Sequence, residues 1–366
     1  MELIIERSKL LPILQIVIGV VERRQPLPIL ANILLSISPD TLKITASDME
    51  VELVATTTIT TKGNAELTLP ARKFLDICRA LPETASIQIK ISGERVQILS
   101  GKSRFTLSTL PAQEYPIIEM QEAAAEFVIT QESLKDLLEK TAFSMAQQDV
   151  RYYLNGLLLE LSPNGIRAVA TDGHRLAMRD IDVPTKVKEK IQVIIPRKGV
   201  VELIKHLESK DEEITVKISS NHVRVLFSDT VFTSKLIDGK FPDYDRVVPE
   251  IGKSVVLAER EMLRQSLTRA SILSNEKYRG VRILLEKGKL RALAHNPEQE
   301  EAEEEVEVEY DGQEMEIGFN VSYLLDALGI IKTRKVRITV KDPNSSCLLL
   351  PEEDNKCKYV VMPMRL

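Results

Sequence analysis

The sequence predicts an α+β protein of three pseudo-symmetric modules, each with two helices and antiparallel sheets. Three observations predict it: a fourfold pattern of elements that recurs along the chain, alternating strands beside every helix, and a length too great for one core. At 366 residues the chain exceeds the size at which a single core stops growing. Three segments open a module with an extended apolar piece that runs into a helical pattern: LIIERSKLLPILQIV from Leu3, EFVITQESLKDLLEKTAF from Glu126 and SVVLAEREMLRQSLTRASIL from Ser254. Their starts lie roughly 125 residues apart.

A second helix recurs at the same offset. LPARKFLDICRALP from Leu69, IPRKGVVELIKHL from Ile195 and FNVSYLLDALGII from Phe319 each place a strand end before apolar residues at three- and four-residue intervals. Strand pairs follow both helices of every module, as in NGLLLELSPNGIRAVATD after a first helix and SIQIKISGERVQILSG and EITVKISSNHVRVLFSD after second helices, the last two with turns at Gly93 and Asn221. The modules are therefore expected at residues 1–122, 126–250 and 252–366.

Composition narrows the function. With 43% hydrophobic and 28% charged residues this is an ordinary globular chain, and no apolar run approaches the length of a bilayer span. The apolar stretch Leu10–Val21 follows acidic Glu2 and Glu6 and reads as a buried helix or strand pair, not a signal. Cys78, Cys347 and Cys357 are odd in number and read as reduced thiols of a cytoplasmic protein. A net charge of −5 excludes a protein that is basic all over but not one that meets DNA through a localised surface.

Catalytic signatures are missing. The chain carries no GxxxxGK[ST], GxGxxG after a strand, HExxH or GxSxG, and its four histidines are scattered. The acidic run EQEEAEEEVEVE, Glu298 to Glu309, points its carboxylates to alternate faces if extended, which suits a solvated or docking edge better than one metal ion. The most enzyme-like run is ATDGHRLAMRD, where Asp172 and His174 could pair as acid and base. No nucleophile accompanies them, and Asp172-Gly173 after an alternating strand reads as a hairpin turn. No metal or cofactor is expected.

Positive charge gathers on the helices. Arg23 and Arg24 follow the first; Arg72, Lys73 and Arg79 lie on the second; Arg197, Lys198 and Lys205 take the matching positions of the middle module. Helices with one apolar face and one basic face could offer phosphates a positive lining, although solvent-facing basics are common everywhere. Gln148, Arg151, Tyr152 and Tyr153 form a further polar and aromatic group, and aromatic rings can stack on unpaired bases.

PARKFLDICRALP, FSMAQQDVRYYLNG, VATDGHRLA, VIIPRKGVVEL, FTSKLIDGKFPDY, ILSNEKYRGVR, NPEQEEAEE, EMEIGFNVSYLLDAL and the terminal YVVMPMRL closely resemble the β subunits of bacterial DNA polymerase III, the sliding clamps. The likeness runs from end to end. It implies the DNA clamp fold: a head-to-tail homodimeric ring with helices lining the inside, sheets outside, and no catalysis of its own. It implies sequence-independent contact with double-stranded DNA, and with adjacent single strand, through Arg24, Arg72, Gln148, Tyr152, Tyr153, Arg197 and Lys198, with Lys205 and Lys240 as additions.

The implied partners are polymerase catalytic subunits, a clamp-loader ATPase complex that opens the ring, and repair polymerases, ligase and mismatch-repair proteins. These insert a short extended peptide with apolar anchors. Its pocket would comprise Arg151, Leu154, Thr171, Gly173, His174, Arg175, Leu176, Pro242, Arg246, Val247, Ser346 and the tail Val360, Val361, Met362, Pro363, Met364, Arg365 and Leu366; methionines suit varied ligands. The implied subunit interface sets Lys73, Arg95, Lys102, Arg104 and Phe105 against Ile272, Leu273, Glu298, Glu300, Glu301, Glu303 and Glu304. Lys102 stands where one member of the family carries arginine, and lysine lacks the bidentate fork. A clamp-like paralogue with a non-replicative binding role, such as resistance to a clamp inhibitor, is the alternative. The stretch from Leu350 to Lys358 matches the family poorly.

Overall fold

A computed structural model describes residues 2–21, 27–93, 95–119, 121–250 and 255–365. One motif, strand–helix–strand–strand–strand, is repeated six times in the order of the chain. The first two copies are β1 (Glu2–Glu6), α1 (Arg7–Val17), β2 (Asn32–Ile37), β3 (Thr41–Ser47), β4 (Val51–Thr58), then β5 (Ala65–Pro70), α2 (Ala71–Ala80), β6 (Ser86–Ser92), β7 (Arg95–Ser100), β8 (Ser103–Ser108). The middle pair is β9 (Ala125–Thr130), α3 (Gln131–Ala142), β10 (Gly156–Ser162), β11 (Gly165–Thr171), β12 (Arg175–Ile181), then β13 (Ile191–Pro196), α4 (Arg197–His206), β14 (Glu213–Ile218), β15 (His222–Leu226), β16 (Thr230–Lys235). The last pair is β17 (Val255–Glu259), α5 (Arg260–Ala270), β18 (Gly280–Glu286), β19 (Lys289–His295), β20 (Glu301–Glu309), then β21 (Met315–Asn320), α6 (Val321–Ile330), β22 (Lys335–Thr339), β23 (Cys347–Pro351), β24 (Cys357–Val361).

Helices form where the apolar period is right. In α2, Ala71, Phe74, Leu75 and Cys78 are buried at helical spacing while Arg72 and Lys73 face water. In α5 the inward set is Leu263, Ser266, Leu267 and Ala270. The strands alternate instead: β9 reads exposed and buried in turn, and β20 buries Val306 and Val308 while Glu301, Glu303, Glu305, Glu307 and Glu309 face outward. The acidic run is thus a turn at 298–300 followed by an extended strand whose carboxylates divide between the two faces: Glu304, on the face of Ala302, Val306 and Val308, is half-buried against Ser266 and Arg269.

The chain condenses into two compact units, Met1–Lys135 with Lys198–Leu236, and Asp136–Arg197 with Ile237–Leu366. The first holds an eight-stranded sheet, β5-β2-β3-β4-β16-β15-β14-β9, and a four-stranded one, β1-β6-β7-β8. The second holds a twelve-stranded sheet, β13-β10-β11-β12-β24-β23-β22-β17-β20-β19-β18-β21. The last strand of the repeat, which pair-by-pair reading of the sequence passes over, makes the junctions in four of the six copies: β4 pairs with β16, and β12 with β24. Leu53 faces Phe232 across the first junction, both fully buried. The three cysteines are buried and unpaired, and burial pushes the Cys78 thiol up to about 12.

A buried carboxylate marks the β4–β16 junction. Glu52, opposite Thr233, is 2% exposed and accepts a hydrogen bond from the Ile118 N–H at 2.8 Å, while Arg224 donates to the Ile118 carbonyl at 3.1 Å. Burial raises the Glu52 pKa above its ordinary value and outweighs the Ile118 hydrogen bond and the Arg224 charge. A folded-state pKa above the unfolded one means that this carboxyl favours folding at acid pH and loses that contribution as pH rises through the folded value. Glu52→Gln keeps an acceptor for Ile118 without the charge. Its melting temperature should exceed wild type at pH 7, and the gap should close as pH falls to the ordinary glutamate range, which calorimetric melts at several pH values would measure.

Candidate functional site: an apolar cleft over the β12–β24 junction

The cleft lies wholly within the second unit, and strand register builds its floor. Thr171 faces Leu176, Leu176 faces Val360 and Val360 faces Leu348, one row across β11, β12, β24 and β23. The next row on that face is Ile194, Leu158, Val169 and Met178. Two short 3-10 turns, Tyr152–Leu154 and Tyr244–Arg246, stand over these rows. Together they enclose about 160 Å³ lined by Arg151, Tyr153, Leu154, Thr171, Gly173, Arg175, Leu176, Pro242, Asp243, Tyr244, Val247, Val360 and Met362. A small apolar hollow with a polar rim is suited to holding aliphatic and aromatic side chains of a ligand.

The rim is preorganised by charge. Arg151 forks onto Asp149 at 3.0 and 2.8 Å and donates to the Asp172 carbonyl at 3.2 Å; its hydrogen bonds hold the Asp149 carboxyl down to about 2. Arg175 lies between Phe143 and Tyr323, 5.4 and 4.7 Å from their ring centres, donates to the Phe143 carbonyl, and pairs with Asp172 and Asp326. Arg246 reaches outward, 82% exposed, to Asp243 at 2.7 Å.

Asp172 is a turn residue and not half of an acid–base pair. Its Oδ1 accepts from the backbone N–H of His174 and Arg175 at 2.9 and 3.0 Å, and its Oδ2 from Arg175 Nε at 3.1 Å. The His174 ring stacks on Tyr323 instead, with centroids 6.3 Å apart. Gly173 between them has φ +88°, as the hairpin reading of Asp172-Gly173 requires.

The tail divides according to strand alternation. Val360 and Met362 line the cleft, and the Met362 N–H donates to the His174 carbonyl at 2.9 Å. Val361, expected in the cleft wall, is out of phase: it sits opposite Arg175 and Cys347 and packs in the core with Phe319 and Tyr359. Met364 bridges to Gly318 through its backbone, Pro363 is half-buried, Arg365 is exposed, and Leu366 lies outside the described residues. Ser346 touches the cleft segment indirectly, its Oγ donating to the Val247 carbonyl at 3.5 Å. Asp243 and Tyr244 line the cleft without having been singled out by sequence. Their signal is position, between Pro242 and Val247 in FPDYDRV.

The residues expected to meet DNA are placed as follows. Arg24 lies outside the described residues. Arg72 is exposed on α2, with Nη2 on the Val21 carbonyl at 2.6 Å. Lys198 pairs with the buried Asp48, Lys205 with Glu202, and Arg197 donates to the Met145 carbonyl at 3.2 Å. Gln148 is exposed at φ +55°, Tyr152 is 58% exposed, and Lys240 is exposed. Tyr153 turns its ring into the cleft, edge-on to Tyr152 at 5.8 Å.

The expected interface residues sit at two sheet edges. Lys102, Arg104 and Phe105 lie at or on β8, an edge strand, with Arg95 on β7 and Lys73 exposed on α2. Ile272 is 73% exposed beside half-buried Leu273. On β20 and the turn before it, Glu301 and Glu298 are exposed, Glu300 accepts from Asn296, Glu303 pairs with Arg291 at 3.2 Å, and Glu304 is held by Arg269 at 2.6 Å. No cluster of metal-ligating groups occurs among the described residues, and no helix there is long and apolar enough to cross a membrane.

Six copies of one motif, junctions made by strand pairing, and an apolar cleft define a binding scaffold of the DNA-clamp class. Models of the DNA polymerase III beta subunit match all three parts of the chain, its N-terminal domain at residues 1–119, central domain at 128–243 and C-terminal domain at 245–365. The beta sliding clamps of Pseudomonas aeruginosa and Escherichia coli K12 are 50% and 47% identical over the full length of both chains. A crystal structure of the P. aeruginosa DNA polymerase sliding clamp with ligand superposes with a TM-score of 0.98 at 49% identity, and one bound to griselimycin with 0.96 at 50%, each covering both chains completely. The chain belongs to the family of DNA polymerase III beta subunits, the bacterial sliding clamps, which are processivity factors without catalytic activity.

Gly173 holds a rim conformation that a side chain would strain. A Cβ there would meet the Arg151 guanidinium at 3.0 Å, on a backbone at φ +88°. Gly173→Ala should cost about 1 to 2 kcal/mol of stability, read by denaturant titration.

Proposed function

We propose that two copies of this chain close head to tail around duplex DNA, and that the cleft of each copy tethers polymerases and other partners by a short extended peptide. The observation that carries the ring is a pair of open edges. Inside the chain each junction joins the last strand of one four-stranded group to the last strand of another, β4 to β16 and β12 to β24. Two such last strands remain. β8 pairs only with β7, and residues 301–307 of β20 pair only with β19, among the described residues.

Pairing β8 of one copy with β20 of the other repeats the internal junction, and its reciprocal closes the assembly. Charge favours the match, since Arg95, Lys102 and Arg104 would face Glu298, Glu300, Glu301, Glu303 and Glu304. Exposed Ile272, with Leu273 and Phe105, supplies apolar area.

A closed ring holds DNA by topology, so its contacts through Arg24, Arg72, Gln148, Tyr152, Tyr153, Arg197 and Lys198 need only be weak and independent of sequence. Lys198 is tied to Asp48, which leaves it a smaller share of phosphate neutralisation. The peptide reading rests on the cleft: Leu154, Leu176, Val247, Val360 and Met362 form an apolar bed beside hydrogen-bonding rims. The clamp loader, repair polymerases, ligase and mismatch-repair proteins would compete for it at chromosomal DNA in the cytoplasm.

The deciding experiment is retention. Loaded protein should stay on closed circular DNA at moderate salt and leave once the circle is cut; equal loss from both would refute the ring. In light scattering the wild type should weigh about twice 41.2 kDa, and Arg104→Glu with Ile272→Asp should bring it to one chain's mass. Leu176→Ala should weaken a fluorescein-labelled hexapeptide with leucine and phenylalanine anchors by about tenfold in anisotropy titrations, taking about 1.5 kcal/mol for the lost contact.

A further inference from the structure

Behind the cleft, on the same face of the sheet, runs a row of polar side chains that no ligand would touch. Register sets Gln192 opposite Glu160, Glu160 opposite Arg167, and Arg167 opposite Asp180, straight across β13, β10, β11 and β12. The row directly before it is apolar, Ile194, Leu158, Val169 and Met178, and forms part of the core under the cleft. A line of polar residues beside an apolar floor is a costly arrangement unless every group is satisfied.

The groups satisfy one another and one thing more. Arg167 forks onto Asp180 at 2.5 and 3.1 Å. Glu160, 7% exposed, receives Gln192 Nε2 at 2.8 Å and Lys190 Nζ at 2.7 Å on Oε2. The same oxygen receives the Tyr244 hydroxyl at 3.0 Å, and that hydroxyl in turn accepts from Arg167 Nη1 at 3.3 Å. Arg167 Nη1 also lies 3.7 Å from Asp245 Oδ1 on the same 3-10 turn. The donor and the acceptor of Tyr244 are therefore both engaged by ionised groups of the row, while its ring forms cleft wall, edge-on to Phe241. Burial pushes its hydroxyl up to about 12, so it stays protonated and able to donate.

We propose that Glu160 and Arg167 are positioning residues for the peptide cleft: through the Tyr244 hydroxyl they hold the 3-10 turn that forms one wall of the cleft. This rests on the reading of the cleft as the peptide site. The flanking Arg246 and Asp243 pair with each other in solvent and add no tether to the sheet. Without the row, the Tyr244 ring loses both polar tethers and the wall is free to shift against the floor.

The test compares full-length Tyr244→Phe, Glu160→Gln and Arg167→Ala with wild type, using the labelled hexapeptide with leucine and phenylalanine anchors and Leu176→Ala as the cleft control. Tyr244→Phe keeps the ring and removes the tether; Glu160→Gln keeps the shape and removes the charge. Each should weaken the peptide by about 5- to 20-fold, the range expected for loss of a charge-assisted hydrogen bond that is partly transmitted, with melting temperature and solution mass close to wild type.

A second readout is the ¹³Cζ resonance of Tyr244, assigned by its loss in Tyr244→Phe. It should shift in Glu160→Gln, and in wild type it should move on peptide addition. If Leu176→Ala loses the peptide while Tyr244→Phe and Glu160→Gln bind it within twofold of wild type, the positioning role is overturned and the cleft reading stands. If Leu176→Ala binds like wild type, the cleft reading fails and the inference falls with it. Should Arg167→Ala fail to fold, the two near-isosteric variants still decide.

Discussion

The pairing of β12 with β24 is the constraint on which the site depends. It joins a hairpin in the middle of the sequence to the last strand, and it does so in a register that places Leu176 beside Val360. Because side chains alternate along a strand, that register also decides which tail residues face the cleft and which enter the core. Val360 and Met362 go one way and Val361 the other. A slip of one residue would exchange them and dissolve the cleft floor.

The same kind of junction, used twice inside the chain, is what the proposed ring repeats at the open edges of β8 and β20. An unpaired strand edge is ordinarily a liability that invites uncontrolled pairing. Here one edge is bordered by lysine and arginine and the other by glutamates, two of them already engaged by Arg291 and Arg269. In the proposed ring, opposite charge on the two edges selects unlike edges over like ones, which is the condition for a head-to-tail contact.

Electrostatics within the chain are mostly local. Lys198 is held by Asp48, Lys205 by Glu202 and Arg151 by Asp149, so a count of basic residues overstates the positive field available to phosphates. Sequence reading placed Arg72, Lys198 and Lys205 on helices but did not show what holds them, and Asp48 lies in a turn far from Lys198 along the chain. Tyr153 shows the complementary difficulty. Tyr152 and Tyr153 are adjacent, yet the 3-10 turn sends one ring to solvent and the other into the cleft.

Much of the architecture was legible because its signals are local. Apolar spacing of three and four marked the helices, as in Phe74, Leu75 and Cys78 of α2, and alternation marked the first two strands after each. The hairpin at Asp172-Gly173 could be read from its turn chemistry, which also removed the one enzyme-like pair. The junctions made by third strands were not legible: TVFTSK carries little alternation of hydrophobicity, and its partner β4 is distant in the chain. By itself the sequence determined the repeated modules, their helices and the family resemblance, all properties of short-range pattern and length. Only the tertiary structure decided the cleft, the face on which each tail residue lies, and the polar row beneath Tyr244. Those depend on register between strands far apart in the chain, and no local period encodes which residue will stand opposite which.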